Sequence, residues 1–102
     1  MFLVENALTG KQKRFLRSLG STMDPVVQIG KAGVIDSVIN STQEALDARE
    51  LIKVKVLQNS PQEPRDAIAE LAEATGAELV QVIGRNGLLF KQNPEKSKIE
   101  LP

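Results

Sequence analysis

The sequence predicts an α/β domain (α+β two-layer): a mixed four-stranded sheet with helices, in which a βαβαββ core is preceded by an N-terminal helix. Three observations carry that prediction. Apolar residues recur at helical spacing in three segments, near 10–19, 35–46 and 65–75. Short apolar or alternating runs at 26–29, 50–57, 78–83 and 88–91 lie between and after them. The last two runs are separated only by Gly84-Arg85-Asn86-Gly87, and Asn-Gly between strand-like runs is the strongest short hairpin signal. Strands joined through helices run parallel with right-handed crossovers, whereas a strand reached through a tight turn is antiparallel to its neighbour, so the sheet is mixed. The last two helices are both amphipathic with acidic exteriors, which places both on one sheet face.

The 102 residues show no break in pattern and are expected to form one domain over 1–102, with a core at 8–92 and a polar C-terminal tail at 93–102. A chain of this size buries roughly 60 to 68% of its unfolded surface, so it needs no covalent staple. Cysteine and histidine are both absent. That excludes disulfides, thiol chemistry, histidine bases and the serine–histidine–aspartate triad, and leaves only carboxylates for a metal site. No cofactor is expected. Met1-Phe2-Leu3-Val4 is too short for a signal-peptide core, and no run approaches the ~20 apolar residues of a membrane span. The chain is expected to be soluble, cytoplasmic and monomeric.

Taken in order, Thr9 with Gln12 three residues later is a capping box that opens a helix at about Gly10, running to Leu19 and stopping at Gly20. Leu8, Phe15, Leu16 and Leu19 make its apolar stripe, and Lys11, Lys13, Arg14 and Arg17 supply four cations with no acid among them. Pro25 marks the entry to the first strand, Val26 to Ile29. After Gly30-Lys31-Ala32-Gly33 a helix begins at Val34 or Ile35. It buries Ile35, Val38, Ile39, Thr42, Ala45 and Leu46, with Asp36, Ser37, Asn40, Gln43, Glu44 and Asp47 outside. Glu50 to Leu57 alternates, Ile52, Val54 and Val56 pointing one way and Lys53 and Lys55 the other. Residues 59–64 read as a loop or a frayed helix start, because Ser60-Pro61 resembles a cap while Pro64 disfavours helical geometry at Glu63. The next helix spans Arg65 to Thr75, burying Ala67, Ile68, Leu71, Ala72 and Ala74 and capped by Gly76. Glu78 to Ile83 and Leu88 to Lys91 are the hairpin strands, and the tail ends in the apolar Ile99 and Leu101.

The most informative stretch is the Gly-x-x-Gly turn at 30–33. Two glycines three apart allow a sharp turn and leave backbone amides open to a ligand, and the helix that follows adds its own unpaired N-terminal amides. Such a loop suits a phosphate, with Lys31 as a mobile cation; a plain strand-to-helix turn would also use glycine. Net charge is zero, but it is sorted along the chain: residues 1–33 carry a balance of plus three, 34–78 minus five and 79–102 plus two. A chain arranged in this way presents a basic face while staying neutral overall. Lysines 53 and 55, opposite the buried strand face, serve either solubility or a ligand.

Thr9 to Leu19, Pro25 to Gly33, Glu50 to Leu57 and Leu79 to Gly84 resemble, at nearly the expected spacing over about residues 8 to 102, the four signature blocks of the YhbY-like proteins. That family is the bacterial stand-alone form of the CRM domain, an RNA-binding module also found in plant organellar splicing factors. The resemblance implies a fold similar to the C-terminal domain of translation initiation factor three and association with precursors of the large ribosomal subunit. It also implies RNA binding through the loop Gly30, Lys31, Ala32 and Gly33 and the basic helix residues Lys11, Lys13, Arg14 and Arg17; Lys53 and Lys55 are added as RNA-binding candidates from the open face of their strand. Phe90 and Lys91 stand where the family usually has tyrosine and arginine, so with the hydroxyl and the planar guanidinium missing a stacked or bidentate contact there is not carried over. With three phenylalanines as the only aromatics, recognition is expected to rest on backbone and shape.

The expected function is therefore a non-catalytic RNA-binding domain that assists large-subunit assembly. An enzyme is the competing class, with Glu44, Asp47, Glu70 and Glu73 as its best carboxylates, but these fall on helix exteriors where solvated acids are the rule. A protein-interaction adaptor using its acidic helices is the alternative.

Overall fold

The computed structural model describes residues 8–95 and 97–102; the Met1–Val4 leader and Lys96 lie outside them. Three helices and four strands follow in the order α1 (Gly10–Gly20), β1 (Val27–Ile29), α2 (Asp36–Arg49), β2 (Leu51–Val56), α3 (Pro64–Thr75), β3 (Glu78–Ile83) and β4 (Asn86–Phe90). The sheet order is β1-β2-β4-β3. β1 and β2 are parallel, and β4 inserts between β2 and β3 antiparallel to both. This is the mixed sheet that the element order implies, with β1 and β3 as its edges.

Each face of the sheet has its own core. On one side Ile52, Val54 and Val56 of β2 and Leu89 of β4 pack with Leu46 of α2 and with Ala67, Ile68, Leu71 and Ala72 of α3. On the other, Leu51, Val80, Leu88 and Phe90 pack under Leu16 of α1, with Leu8, Phe15, Ile99 and Leu101 around them. The two acidic helices therefore share one face, and the basic α1 lies across the other together with the C-terminal tail.

Several local expectations are corrected. Gly20 is the last helical residue and is buried, not an exposed stop signal. A Cβ there would stand 2.5 Å from Leu88 Cδ1, so glycine is present to let α1 press onto the sheet. Leu19 is 40% exposed in consequence. α2 begins at Asp36, not at Val34 or Ile35, because Ile35 is extended with ψ 171° and is 43% exposed. In α3, Thr75 is buried and Ala74 is exposed. The stripe centres on Ile68, Leu71 and Thr75, and Ala74 falls on its flank. Pro64 is the first helical residue and Glu63 is extended at ψ 149°, so 59–63 is the loop and the helix starts one residue before Arg65. Glu50 is not a strand residue: it closes α2 with φ +66°.

The hairpin turn falls two residues earlier than Asn-Gly. Ile83 pairs with Asn86, so Gly84 and Arg85 are the loop, with Gly84 at φ +58°. Glycine at the first central position is what a II′-type hairpin loop needs. Gly87 instead sits inside β4, where a Cβ would lie 2.7 Å from Ile68 Cγ2. It admits α3 to the sheet as Gly20 admits α1.

Candidate nucleic-acid interface

The Gly-x-x-Gly loop leaves β1 at the end of the sheet where β2 also finishes. Gly33 N–H donates to the Gly30 carbonyl at 3.0 Å, closing a β-turn with Lys31 and Ala32 exposed at its tip. Gly33 is buried at φ +78°, and a Cβ on it would approach Pro61 Cγ to 3.3 Å. Its glycine is thus demanded by both backbone and packing. Gly30 is freer, with Leu57 Cδ1 3.5 Å from the position of a Cβ. The first turn of α2 follows the loop, but Asp36 occupies it with an exposed carboxylate. That charge opposes an anion at the helix end, so the loop amides and Lys31 are the better anion partners.

The capping box at the start of α1 is present as expected, Thr9 Oγ1 accepting from the Gln12 N–H at 3.1 Å and Gln12 Oε1 accepting from the Thr9 N–H at 3.0 Å. Burial of Leu16 and Gly20 against the sheet turns Lys11 and Arg14 fully outward and leaves Lys13 and Arg17 half-exposed on one flank. On the same face of the sheet, Lys53 pairs with Leu88 and Lys55 with Asn86. Lys53 is half-exposed and Lys55 exposed. Where Leu51 lies under the helix the face is apolar; beyond the C-terminal end of α1 it is open and cationic.

The order along the sheet is therefore α1 over Leu51 and Phe90, then Lys53, then Lys55, then the hairpin tip and the Gly-x-x-Gly loop. From Leu51 to Leu57, which accompanies Gly30, the strand advances about 20 Å. The basic helix and the loop thus lie about that far apart along this strip of the sheet and are not immediate neighbours. The side chains of Lys11, Lys13, Arg14, Arg17, Lys31, Lys53 and Lys55 make no ion pair or hydrogen bond among the described residues. The acids Asp36, Glu44, Asp47, Asp66, Glu70 and Glu73 are exposed on the two helices of the opposite face. Among the described residues no group of three or more acids is placed to hold a metal ion, and no helix is long and apolar enough to cross a membrane.

Arg85 belongs to the strip and was not a sequence candidate. Its carbonyl accepts from Val56 N–H at 2.7 Å and its Nη1 donates to the Leu57 carbonyl at 3.3 Å. Together with Lys55, Gln58 and Asn59 it lines a shallow depression beside the end of β2. A cation at a hairpin tip is visible in the sequence, but its neighbour across the sheet is fixed only by insertion of β4 beside β2. Lys91, by contrast, is drawn out of the strip. Its Nζ donates to the Thr75 carbonyl at 2.9 Å, where it caps α3 and complements the negative end of that helix. Phe90 is 2% exposed in the core beneath α1, so its ring is a packing group.

Comparison with known proteins gives consistent relatives. The chain is 50% identical over 95 residues to the probable RNA-binding protein YqeI of Bacillus subtilis (strain 168), covering 93% of this chain and 99% of that one. It is 37% identical over 95 residues to an RNA-binding protein of Haemophilus influenzae, covering 93% and 95%. Its fold matches the solution structure of the hypothetical protein SAV1595 from Staphylococcus aureus with a TM-score of 0.79, at 48% identity over 94% of this chain and all of the other. The CRS1 / YhbY (CRM) domain model matches residues 8–91, and the chain belongs to that family.

Proposed function

We propose that this protein is a non-catalytic RNA-binding domain of the cytoplasm that engages precursors of the large ribosomal subunit and assists their assembly. One observation carries the reading most directly. Seven cations on α1, β2 and the loop make no ion pair or hydrogen bond among the described residues, while the acidic residues of α2 and α3 lie on the sheet face opposite α1. A surface so divided attracts a polyanion to one side only, and it does so with no excess of positive charge overall. The names of the relatives, a probable RNA-binding protein and an RNA-binding protein, support the same class of partner. Lys31 and the loop amides would hold phosphate at one end of the strip, Lys13 and Arg17 at the other, with Lys53, Lys55 and Arg85 between.

The test is crosslinking to RNA in growing cells followed by sequencing of the bound fragments. Enrichment of immature large-subunit RNA supports the reading. Fragments spread over unrelated transcripts would remove the ribosomal assignment while leaving RNA binding. Failure to bind naked ribosomal RNA, with retention on ribosomal particles, would shift the contact to the acidic helices and a protein partner.

A further inference from the structure

We propose that the cleft between the C-terminal end of α1 and the open part of the sheet receives one unpaired nucleobase of the bound RNA, Gln81 and Asn86 meeting its edge and Ile83 its face. This rests on the RNA-binding reading above and adds to it a site that distinguishes irregular RNA from a plain duplex.

The cleft has a volume of about 260 Å³ and is walled by Gly20 and Ser21 of the helix end, Lys53, Gln81, Ile83 and Asn86, with Leu88 as its floor. Pockets for whole drug-sized ligands run from ~300 to 1,000 Å³, so this one suits a single planar ring system. Its wall chemistry is mixed in the manner a base requires. Ile83 is 64% exposed, the most exposed of the large apolar side chains in the described structure, and a flat π-face would cover it. Gln81 and Asn86 make no side-chain hydrogen bond among the described residues. Each amide offers donors and an acceptor side by side, the pattern that pairs with a base edge.

The backbone is arranged to aim these groups. In the ladder between β3 and β4, Leu79 pairs with Leu89 and Gln81 with Leu88, so Val80 is an extra residue. Strict alternation would send Val80 and Gln81 to opposite faces. The irregularity brings both to the α1 side, where Val80 packs beneath Leu16 and Gln81 enters the cleft. The end of α1 adds its negative carbonyl pole, which disfavours phosphate inside the cleft and favours the amino donors of a base. Phosphates of the same nucleotide then fall on Lys53 and Lys55, two residues apart on the adjacent strand and without a hydrogen-bond or ion-pair partner among the described residues. Lys53 on the wall and Lys55 beyond it, with amides and an aliphatic platform within, complement a nucleotide whose base has left its helix.

The test compares two RNA hairpins of equal charge, one a fully paired stem and one with a single bulged nucleotide, each of the four bases in turn. At least one bulged form should bind about tenfold more tightly than the paired stem, the order of gain that one bidentate amide–base contact supplies. The double variant Gln81→Ala, Ile83→Ala should bring the bulged stem to the affinity of the paired one and leave paired-stem binding and thermal unfolding unchanged. Backbone amide resonances of Ser21, Gln81 and Asn86 should shift with the bulged RNA and not with the paired stem. Equal affinity for every stem, or a preference that survives the double variant, overturns the proposal. Lys31→Glu should weaken both classes alike, and a protein that binds neither stem overturns the RNA-binding reading together with this one.

Discussion

The carboxylate of Glu50 accepts the backbone N–H of Ile99 at 2.8 Å, joining residues 49 apart in the chain. The same carboxylate accepts the N–H groups of Lys98, at 2.7 Å, and Asn93. Glu50 is fully buried. Its own N–H donates to the Leu46 carbonyl and its carbonyl accepts from Lys91. One residue therefore ends α2, turns the chain into β2 and ties down the segment that lays Ile99 and Leu101 against the core under α1.

Glu50→Gln should release that tie. A carboxamide offers one acceptor oxygen and turns an NH2 group toward N–H donors, leaving at least one buried donor unmatched at a cost of about 1–3 kcal/mol. The expected result is a lower urea midpoint and faster amide exchange at Lys98 and Ile99. Glu50→Gly, which suits φ +66° better, should still destabilise, because the acceptor is lost with the side chain.

Stability should also fall with acid through this group. Burial pushes the Glu50 carboxyl up, but the N–H donors of Asn93, Lys98 and Ile99 and the charge of Lys98 outweigh it, so the group lies below its ordinary value. A depressed native pKa means that the unfolded chain binds the proton first. The contribution is fully present above the unfolded value of about 4.3 and disappears as pH falls through the lower native value. Urea midpoints measured at neutral pH and below pH ~4 should fall further in the parent than in Glu50→Gln.

Gly20→Ala tests the seat of α1. Alanine is favoured over glycine in a helix by up to about 1 kcal/mol, yet its methyl would stand 2.5 Å from Leu88. Overpacking of that kind costs about 1–3 kcal/mol, so the net effect should be destabilising. Leu88→Ala in the same chain should make the glycine substitution nearly neutral, a coupling that a double-mutant cycle in urea would register.

These residues show where sequence reasoning reaches and where it stops. The capping box at Thr9 and Gln12, the alternation of β2 and the acidic exteriors of α2 and α3 are local patterns, and each appears in the structure as the pattern requires. Glu50 could not be found in this way, because its partners lie 43 to 49 residues ahead and nothing in its neighbours distinguishes it from a surface acid. Gly20 and Gly87 looked like punctuation but are contact glycines, a role created by Leu88 and Ile68 from other elements. Arg85 comes beside Lys55 through the position of β4, and Gln81 reaches the cleft through the extra residue at Val80, both consequences of strand pairing.

Within the loop, Lys31→Glu is the cleaner probe. Lys31 is exposed at the turn tip, so reversing its charge should weaken RNA binding with little change in melting temperature. Gly33→Asp would confound the two effects, since φ +78° and the proximity of Pro61 make any side chain there costly to the fold. Unchanged RNA affinity in Lys31→Glu would reduce the loop to a turn.

The last prediction concerns salt. The strip offers more cations than one RNA segment neutralises at once, and three to five simultaneous phosphate contacts are a reasonable load for its roughly 20 Å length. With ~0.7 to 0.9 counterions released per phosphate, the slope of log affinity against log salt should be roughly minus two to minus four. Lys13 and Arg17 stand four residues apart on one flank of α1, unpaired in the described structure. Replacing both with alanine should flatten the slope by nearly two units. Gly30→Ala should behave differently. A methyl there meets Leu57 at an ordinary 3.5 Å, so the fold tolerates it while the added side chain crowds the loop amides. Those amides displace no cation when they bind phosphate, so affinity should fall at every salt concentration and the slope should hold. A slope near zero in the parent protein, or one untouched by loss of Lys13 and Arg17, would mean that the α1 end of the strip does not hold RNA.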